Sequence, residues 1–347
     1  MALRRLFVAL LAVVYLTVYP HLPGLNNPNE NTRVYTTLAL VDDHTLRLDE
    51  AVRRYGWTND LSRVPDPGGG SHYASPKGPL VSWLGVPAYA ALRAGAAVVG
   101  RGPPPAGEPR DQAARERARG WRRTATLALQ LAVGHMPGLL FLAALERRLR
   151  RFSQDPTLRW CAVAAVGLGT NFLAYSFLFA SHALVAAAAF LALDHLAVSD
   201  LRARGRAPGW RPARALGAGL LAAAPTLLEY QGAALSAVLG LYGTYLLVRA
   251  RAYRALGAFA AGAALGAVAL GLHHWRAFGG PLRTGVLYME NPAFAAMWKE
   301  GALGVRGPRL EALQGMLFDG AYGLFTTSPW LVLGLVGAGA APWLVRT

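Results

Sequence analysis

Glu30 and Lys77 bracket one polar stretch of the chain, and between them they carry the two charges that chemistry on a lipid-borne phosphate would use. A carboxylate held at the depth where a lipid substrate presents its head group can act as general base on a hydroxyl. A lysine at a membrane boundary can meet a lipid phosphate as a point charge. Each residue also has a plain structural reading. Glu30 stands at the start of a helical stretch, where the dipole favours a negative charge that has no further task. Lys77 would equally serve as a snorkelling anchor at the interface. Asp60 is a rival carboxylate, and Asp42, Asp43, Asp49 and Glu50 add more acids to the same stretch. Their spacing matches no closed metal site, so they read as solvated acids; no cofactor is called for, and a divalent ion stays an alternative.

The residues leading into Lys77 are as informative as the lysine. Asp66-Pro67-Gly68-Gly69-Gly70-Ser71 reads as a flexible turn, followed by His72-Tyr73-Ala74-Ser75-Pro76-Lys77-Gly78-Pro79-Leu80. Pro76 and Pro79 restrict the backbone and so place the lysine rather than leave it loose. Further along, Glu229-Tyr230-Gln231 and Tyr288-Met289-Glu290-Asn291 are polar clusters beside apolar runs. Glu229 in such a setting is costly unless paired, which makes it functional or bonded to a neighbour such as His182. His273 and His274 are adjacent, so they point to different helix faces and suit an interface better than a ligand pair. Arg276 and Arg283 fit ordinary loop arginines, with phosphate binding as the alternative.

What must position these groups is a membrane. The 347 residues are 54% hydrophobic and 16% charged, where a soluble domain carries about 25% charged residues. That composition excludes an ordinary soluble enzyme. A net charge of +16 would suit a nucleic-acid binder only if the basic residues gathered on one exposed face, and here they lie between apolar runs, so no nucleic-acid partner is expected. The single Cys161 can form no intrachain disulfide. Candidate spans are Leu6–Pro20, Pro79–Gly100, Thr124–Leu145, Trp160–Ser176, Ala183–Val198, Ala215–Leu228, Gly232–Val248, Ala255–Leu272 and Ala321–Val345. Leu6–Pro20 begins like a signal peptide, but Pro20-His21-Leu22-Pro23 stands where a cleavage site would, so a retained helix is expected.

Sidedness follows the arginines. Arg101–Arg123, Arg147–Arg159, Arg202–Arg214 and Arg249–Arg254 are expected in the cytoplasm, which puts residues 26–79 and 273–320 in two extracytoplasmic loops. Thr124–Leu145 has basic segments at both ends and breaks the alternation. A hairpin at Gly134-His135-Met136-Pro137-Gly138 would restore it, and one full span is the alternative. Val34, Leu38 and Val41 recur at helical spacing, the pattern of an amphipathic helix lying on the membrane surface. The expected fold is an all-α polytopic bundle, one transmembrane domain over residues 1–347 in the inner or plasma membrane. Its first outside loop would carry surface helices, and residues 101–123 would form a basic cytoplasmic linker.

Several short motifs then fall in a telling order. Asn29-Glu30 follows the first helix, and Tyr73-Ala74-Ser75-Pro76-Lys77-Gly78-Pro79-Leu80-Val81-Ser82-Trp83 opens the next. Gly169-Thr170, Tyr175-Ser176 and His182 lie in the middle helices; Phe278-Gly279-Gly280-Pro281, Gly301–Pro308, Gly323-Leu324-Phe325 and Ser328-Pro329-Trp330 come later. In this order the chain resembles the GT-C superfamily of integral-membrane glycosyltransferases. The nearest comparison is with bacterial relatives of protein O-mannosyltransferases and of the lipid A aminoarabinose transferase, the glycosyltransferase family 39 type. Relatives commonly continue where this chain stops at Thr347, so a short member or a fragment is expected.

The resemblance implies a GT-C-like bundle that transfers a sugar from a polyprenyl-phosphate carrier to a lipid, glycan or protein acceptor outside the membrane, among membrane lipids. It implies Glu30 as base, with Asp60 as its rival, because relatives have an acidic pair where this chain has Asn29-Glu30. It implies Lys77 at the carrier phosphate, and Tyr73, His72, His182, Glu229, Tyr230 and Glu290 as further substrate contacts. The chemistry is coherent without a metal: the attacking hydroxyl needs a base, while the departing phosphate needs positive charge rather than an acid. A transporter or lipid flippase is the competing class, and it would need ionisable residues deep within spans, for which only Arg93 and Asp194 offer themselves.

Overall fold

Helix forms wherever the sequence is apolar, and Pro, Gly and polar clusters interrupt it. The computed structural model describes residues 2–17, 27–204, 210–300, 307 and 309–344. Pro20-His21-Leu22-Pro23, all but Gly307 of the 301–308 segment, and Arg346 lie outside the described residues. In chain order the first elements are α1 (Ala2–Thr17), α2 (Pro28–Asp42), α3 (Asp49–Tyr55), strands β1 (Ser62–Pro65) and β2 (Ser71–Ala74), and α4 (Leu80–Val98). Next come α5 (Gln112–Leu129), α6 (Met136–Leu149), α7 (Pro156–Leu168), α8 (Asn171–Ser176), α9 (His182–Arg204) and α10 (Pro212–Leu228). The last are α11 (Ala233–Arg249), α12 (Tyr253–Phe278), α13 (Pro292–Lys299), α14 (Leu310–Phe318), α15 (Leu324–Thr327) and α16 (Leu331–Leu344).

Among the described residues, three helices are long and apolar enough to cross a membrane: Gln112–Leu149, Tyr230–Arg249 and Tyr253–Phe278. The chain is a helical membrane protein on this ground. Gln112–Leu149 is one continuous helix, so the expected hairpin at Gly134–Gly138 does not form. A π-helical turn over Gln130–His135 joins α5 to α6 instead. Pro137 therefore lies inside a continuous helix, and the widened turn just before it accommodates the N–H that proline lacks. The expected span Pro79–Gly100 forms α4 but is not among the apolar crossing helices, for it carries Pro87 and Arg93.

The chain divides into two compact units, residues 24–134 with 179–298, and residues 1–23 with 135–178 and 299–347. The first is built around α2. Asn27 caps this helix by accepting from the Asn29 N–H at 3.1 Å, and Pro28 occupies its first turn. Every residue from Glu30 to Ala39 is buried, which corrects the expectation of an amphipathic surface helix. The reason is that most of its polar groups are bonded within the protein rather than to water, Thr32 Oγ1 and Arg33 Nε being the unpaired ones. Thr36 and Thr37 donate back to the carbonyls of Thr32 and Arg33, Tyr35 donates to Gly56 O at 3.0 Å, and Glu30 and Arg33 bond to distant segments. A buried polar group left unpaired costs about 1–3 kcal/mol, so such a helix is tolerable only when most of its polar groups are partnered.

The helix α4 runs alongside α2 in the same direction, from Ser82 Oγ donating to Arg33 O to Arg93 donating to Val41 O. The segment Arg101–Arg123, expected on the opposite side of the membrane, packs against α2 and α3. Arg122 donates to Tyr35 OH and Tyr55 O, and the Gly107 N–H bonds Glu50. The acids at the end of α2 are likewise not solvated. Arg54 bridges Asp43 and Glu50, and the nearly buried Asp42 accepts from Tyr89 OH at 2.7 Å beside Arg54 and Arg93. Burial raises the Asp42 pKa against the pull of those partners. The expected flexible turn at Asp66–Ser71 is the tip of the β1–β2 hairpin, tied down by Asp66, which pairs with Arg47 at 2.8 Å and His72 at 2.9 Å.

Helices α9 to α12 pack through small residues. Gly219 of α10 faces Phe259 of α12, and Gly262 faces Leu216, each pressed so close that a Cβ would overlap the opposing carbonyl. In the second unit Tyr15 of α1 donates to Gly167 O at 3.0 Å, and Leu142 packs on Gly167. There the motif residues serve structure: Thr170 caps α8, and Trp330 covers Gly169.

Candidate functional site

The segment that carries Lys77 is held by close approach. A Cβ at Gly78 would stand 2.6 Å from Leu227 O and 2.8 Å from Leu228 O, so only glycine lets the chain lie this near the end of α10. The next residue past α10 is Glu229, extended at φ −153°, ψ 132°. Lys77 and Glu229 thereby line one cavity of ≈ 480 Å³, together with Asn29, His182 and Gln231. Lys77 Nζ lies 2.6 Å from Asp60 Oδ2, with both side chains largely buried.

Glu229 does not depend on His182 for its partner, as the sequence suggested. It is held by Arg33, whose Nη2 lies 2.8 Å from Glu229 Oε2, and by Ser181 Oγ, which donates to the same oxygen at 2.7 Å. Both bonds fall on Oε2, so Oε1 is not engaged by them. Arg33 is fully buried and also donates to Asn29 O at 3.0 Å, one helical turn back. Sequence reasoning passed over Arg33. The available signal was its place one turn from Asn29 on a helix whose apolar residues flank it.

Glu30 stands just behind this group and is 5% exposed. Its Oε1 accepts from Gln130 Nε2 at 2.8 Å and from the Phe179 N–H at 2.6 Å. The π-turn begins at Gln130 and therefore sets the donor that faces the carboxylate. Burial drives the Glu30 pKa above the ordinary glutamate range, with Gln130, Phe179 N–H and Arg33 opposing it in that order.

The remaining expected residues do not line this cavity. His72 pairs with Asp66. The Tyr73 hydroxyl accepts from Arg63 at 2.9 Å, and the same arginine holds Glu290 at 2.9 Å. These three brace the hairpin against the segment Gly285–Glu290, whose Glu290 N–H donates to Leu61 O at 2.9 Å. Tyr230 lies beneath the lysine segment, its hydroxyl 3.4 Å from Lys77 O and 3.1 Å from His274 Nε2.

No family model, curated protein or solved structure matches the chain.

The cavity thus brings together a lysine ammonium paired with Asp60, a carboxylate bonded through Oε2 to Arg33 and Ser181, and an imidazole. Among the described residues no group of three His, Cys, Asp or Glu side chains is placed to hold a metal ion. What the arrangement can do is bind an anionic group through Lys77 and accept a hydrogen bond, or a proton, through a carboxylate.

Proposed function

We propose that the chain is a membrane glycosyltransferase of the GT-C type, moving a sugar from a polyprenyl-phosphate carrier to an acceptor hydroxyl on the extracytoplasmic side. The observation that carries this reading is the convergence of Lys77, His182 and Glu229, from three separate parts of the sequence, on one cavity beside the start of α2. Lys77 would meet the carrier phosphate and stabilise it as it departs. Displacing Asp60 from the lysine is then part of binding. Glu30 and Glu229 are the two carboxylates within the same layer, and the acceptor proton goes to one of them as its oxygen attacks the anomeric carbon and the bond to phosphate breaks. Glu229 has the better access, while burial raises the pKa of Glu30 and makes it the stronger proton acceptor once ionised.

The competing transporter reading loses one of its two residues, because Arg93 is spent on Asp42 and Val41 O at the end of α2. The test is transfer from a polyprenyl-phosphate sugar by the purified protein with Glu30→Gln, Glu229→Gln and Lys77→Ala. Loss in Lys77→Ala together with loss in one of the glutamine variants is expected. Rates like the wild type in all three would end this mechanism.

A further inference from the structure

A second cavity, ≈ 570 Å³, opens at the other end of α2, between His44, Leu40 and Leu46 on one side, Trp83 of α4, and His273 and Arg276 of α12. No carboxylate lines it: Arg276 is a fixed cation, and the His44 and His273 rings can donate hydrogen bonds. Among the described residues no ion pair engages Arg276, so its guanidinium lines the cavity with no acid to neutralise it. His273 is 7% exposed, touches the edge of the Trp83 ring, and has a buried Nδ1 with no hydrogen-bond partner. A buried nitrogen in that state is costly to the fold and is relieved by a polar ligand.

The same helix shows what kind of ligand. Leu265, Val268, Leu272 and Trp275 recur at intervals of three and four on α12, and each is more than half exposed. That stripe runs along a helix apolar enough to cross a membrane, and Leu272 belongs to the cavity wall. Hydrocarbon therefore has a path along α12 that ends at Arg276, one turn beyond Leu272, with Trp275 between them at the position an interface residue takes.

We infer that this cavity binds an anionic lipid whose head group is a phosphate monoester, its phosphate held by Arg276 with His273 and His44 and its acyl chains laid on the Leu265–Trp275 stripe. The inference stands apart from the proposed transferase activity, which uses the cavity at the opposite end of α2. The source of the phosphate is the lipid, since the cationic lining is continuous with an exposed apolar stripe.

The test is binding of a short-chain phosphatidic acid to the purified protein in neutral detergent, beside phosphatidylcholine of the same chain length and inorganic phosphate. Saturable binding of phosphatidic acid is expected, with phosphatidylcholine and inorganic phosphate at least about tenfold weaker. Arg276→Ala and His273→Phe should each weaken it about tenfold, and Arg283→Ala, which removes an arginine outside the cavity, should leave it unchanged. If Arg276→Ala fails to fold, the exposed His44→Ala takes its place. Equal binding of phosphatidylcholine, equal binding of free phosphate, or indifference to Arg276→Ala would overturn the assignment.

Discussion

Arg33 and Glu229 lie 196 positions apart in the sequence and 2.8 Å apart in the fold, and their ion pair joins the buried helix α2 to the turn that follows α10. The Arg33 side chain has no exposure and that of Glu229 has 16%. Such a pair adds little net stability over an apolar contact, yet breaking it from one side strands a charge. Arg33→Met is therefore expected to destabilise the protein by about 3 kcal/mol. Adding Glu229→Gln should recover most of that loss, because the stranded charge goes with it. Denaturant unfolding of the two variants in detergent checks this. Equal losses would mean that the pair does not organise the site.

Glu30 yields a prediction whose sign differs between activity and stability. Burial raises its pKa, so as a base it becomes competent only as pH rises through that elevated value, and transfer should fall on the acid side above pH 4.5. Stability runs the other way. A carboxyl raised above its unfolded value of about 4.3 is most favourable to the fold below that value, and loses the contribution as pH climbs through the folded pKa. Glu30→Gln should thus gain on the wild type across this window and hold the gain above it, while losing about a hundredfold or more in transfer if Glu30 is the base. Parallel unfolding and rate profiles against pH separate the two effects. A glutamine variant that loses stability at neutral pH would contradict the buried-carboxylate account.

The 2.6 Å contact between Lys77 and Asp60 gives Asp60 a role distinct from proton transfer. If it only holds the lysine in place, Asp60→Asn keeps the geometry, weakens the competition for Lys77, and should change transfer by no more than about tenfold. Lys77→Ala removes the charge that meets the phosphate and should cost about a hundredfold or more in turnover. Loss of turnover in Asp60→Asn as large as in Lys77→Ala would move the base to Asp60.

Gly219 and Gly262 seat α10 on α12 with no room for a methyl group. Gly262→Ala is expected to cost about 1–3 kcal/mol through overpacking. Gly257, which has open space around it, should accept alanine without loss. Thermal unfolding of the two variants makes the comparison within one helix.

The helices themselves were legible because apolar runs of span length leave the backbone few alternatives. Lys77 and Glu229 were legible for a related reason: a charge at the edge of an apolar run has to be used or paired. The setting of α2 was not. Val34, Leu38 and Val41 mark one apolar face, but the opposite face is satisfied by Gln130, Ser181 and Glu229, residues at least about a hundred positions away, and no local pattern encodes them. Arg33 was overlooked for the same reason, since its meaning lies in a distant partner. The hairpin expected at Gly134–Gly138 came from reading proline and glycine as breakers, where a π-turn accommodates both in a continuous helix.

The arginine count placed Arg101–Arg123 in the cytoplasm, but Arg122 bonds to Tyr35 and Tyr55, and Gly107 to Glu50, on the elements of the first loop. Since α4 joins two segments that pack together, both are expected on one side of the membrane. Arg147–Arg159 follows the far end of the continuous helix Gln112–Leu149, so its arginines are expected across the membrane from Ser71 and Arg110. In a Cys161→Ser background, Ser71→Cys and Arg110→Cys should both react with a membrane-impermeant maleimide in intact cells. Gln154→Cys should react only after permeabilisation. Labelling of Arg110→Cys together with Gln154→Cys, and not with Ser71→Cys, would show that α4 crosses the membrane after all.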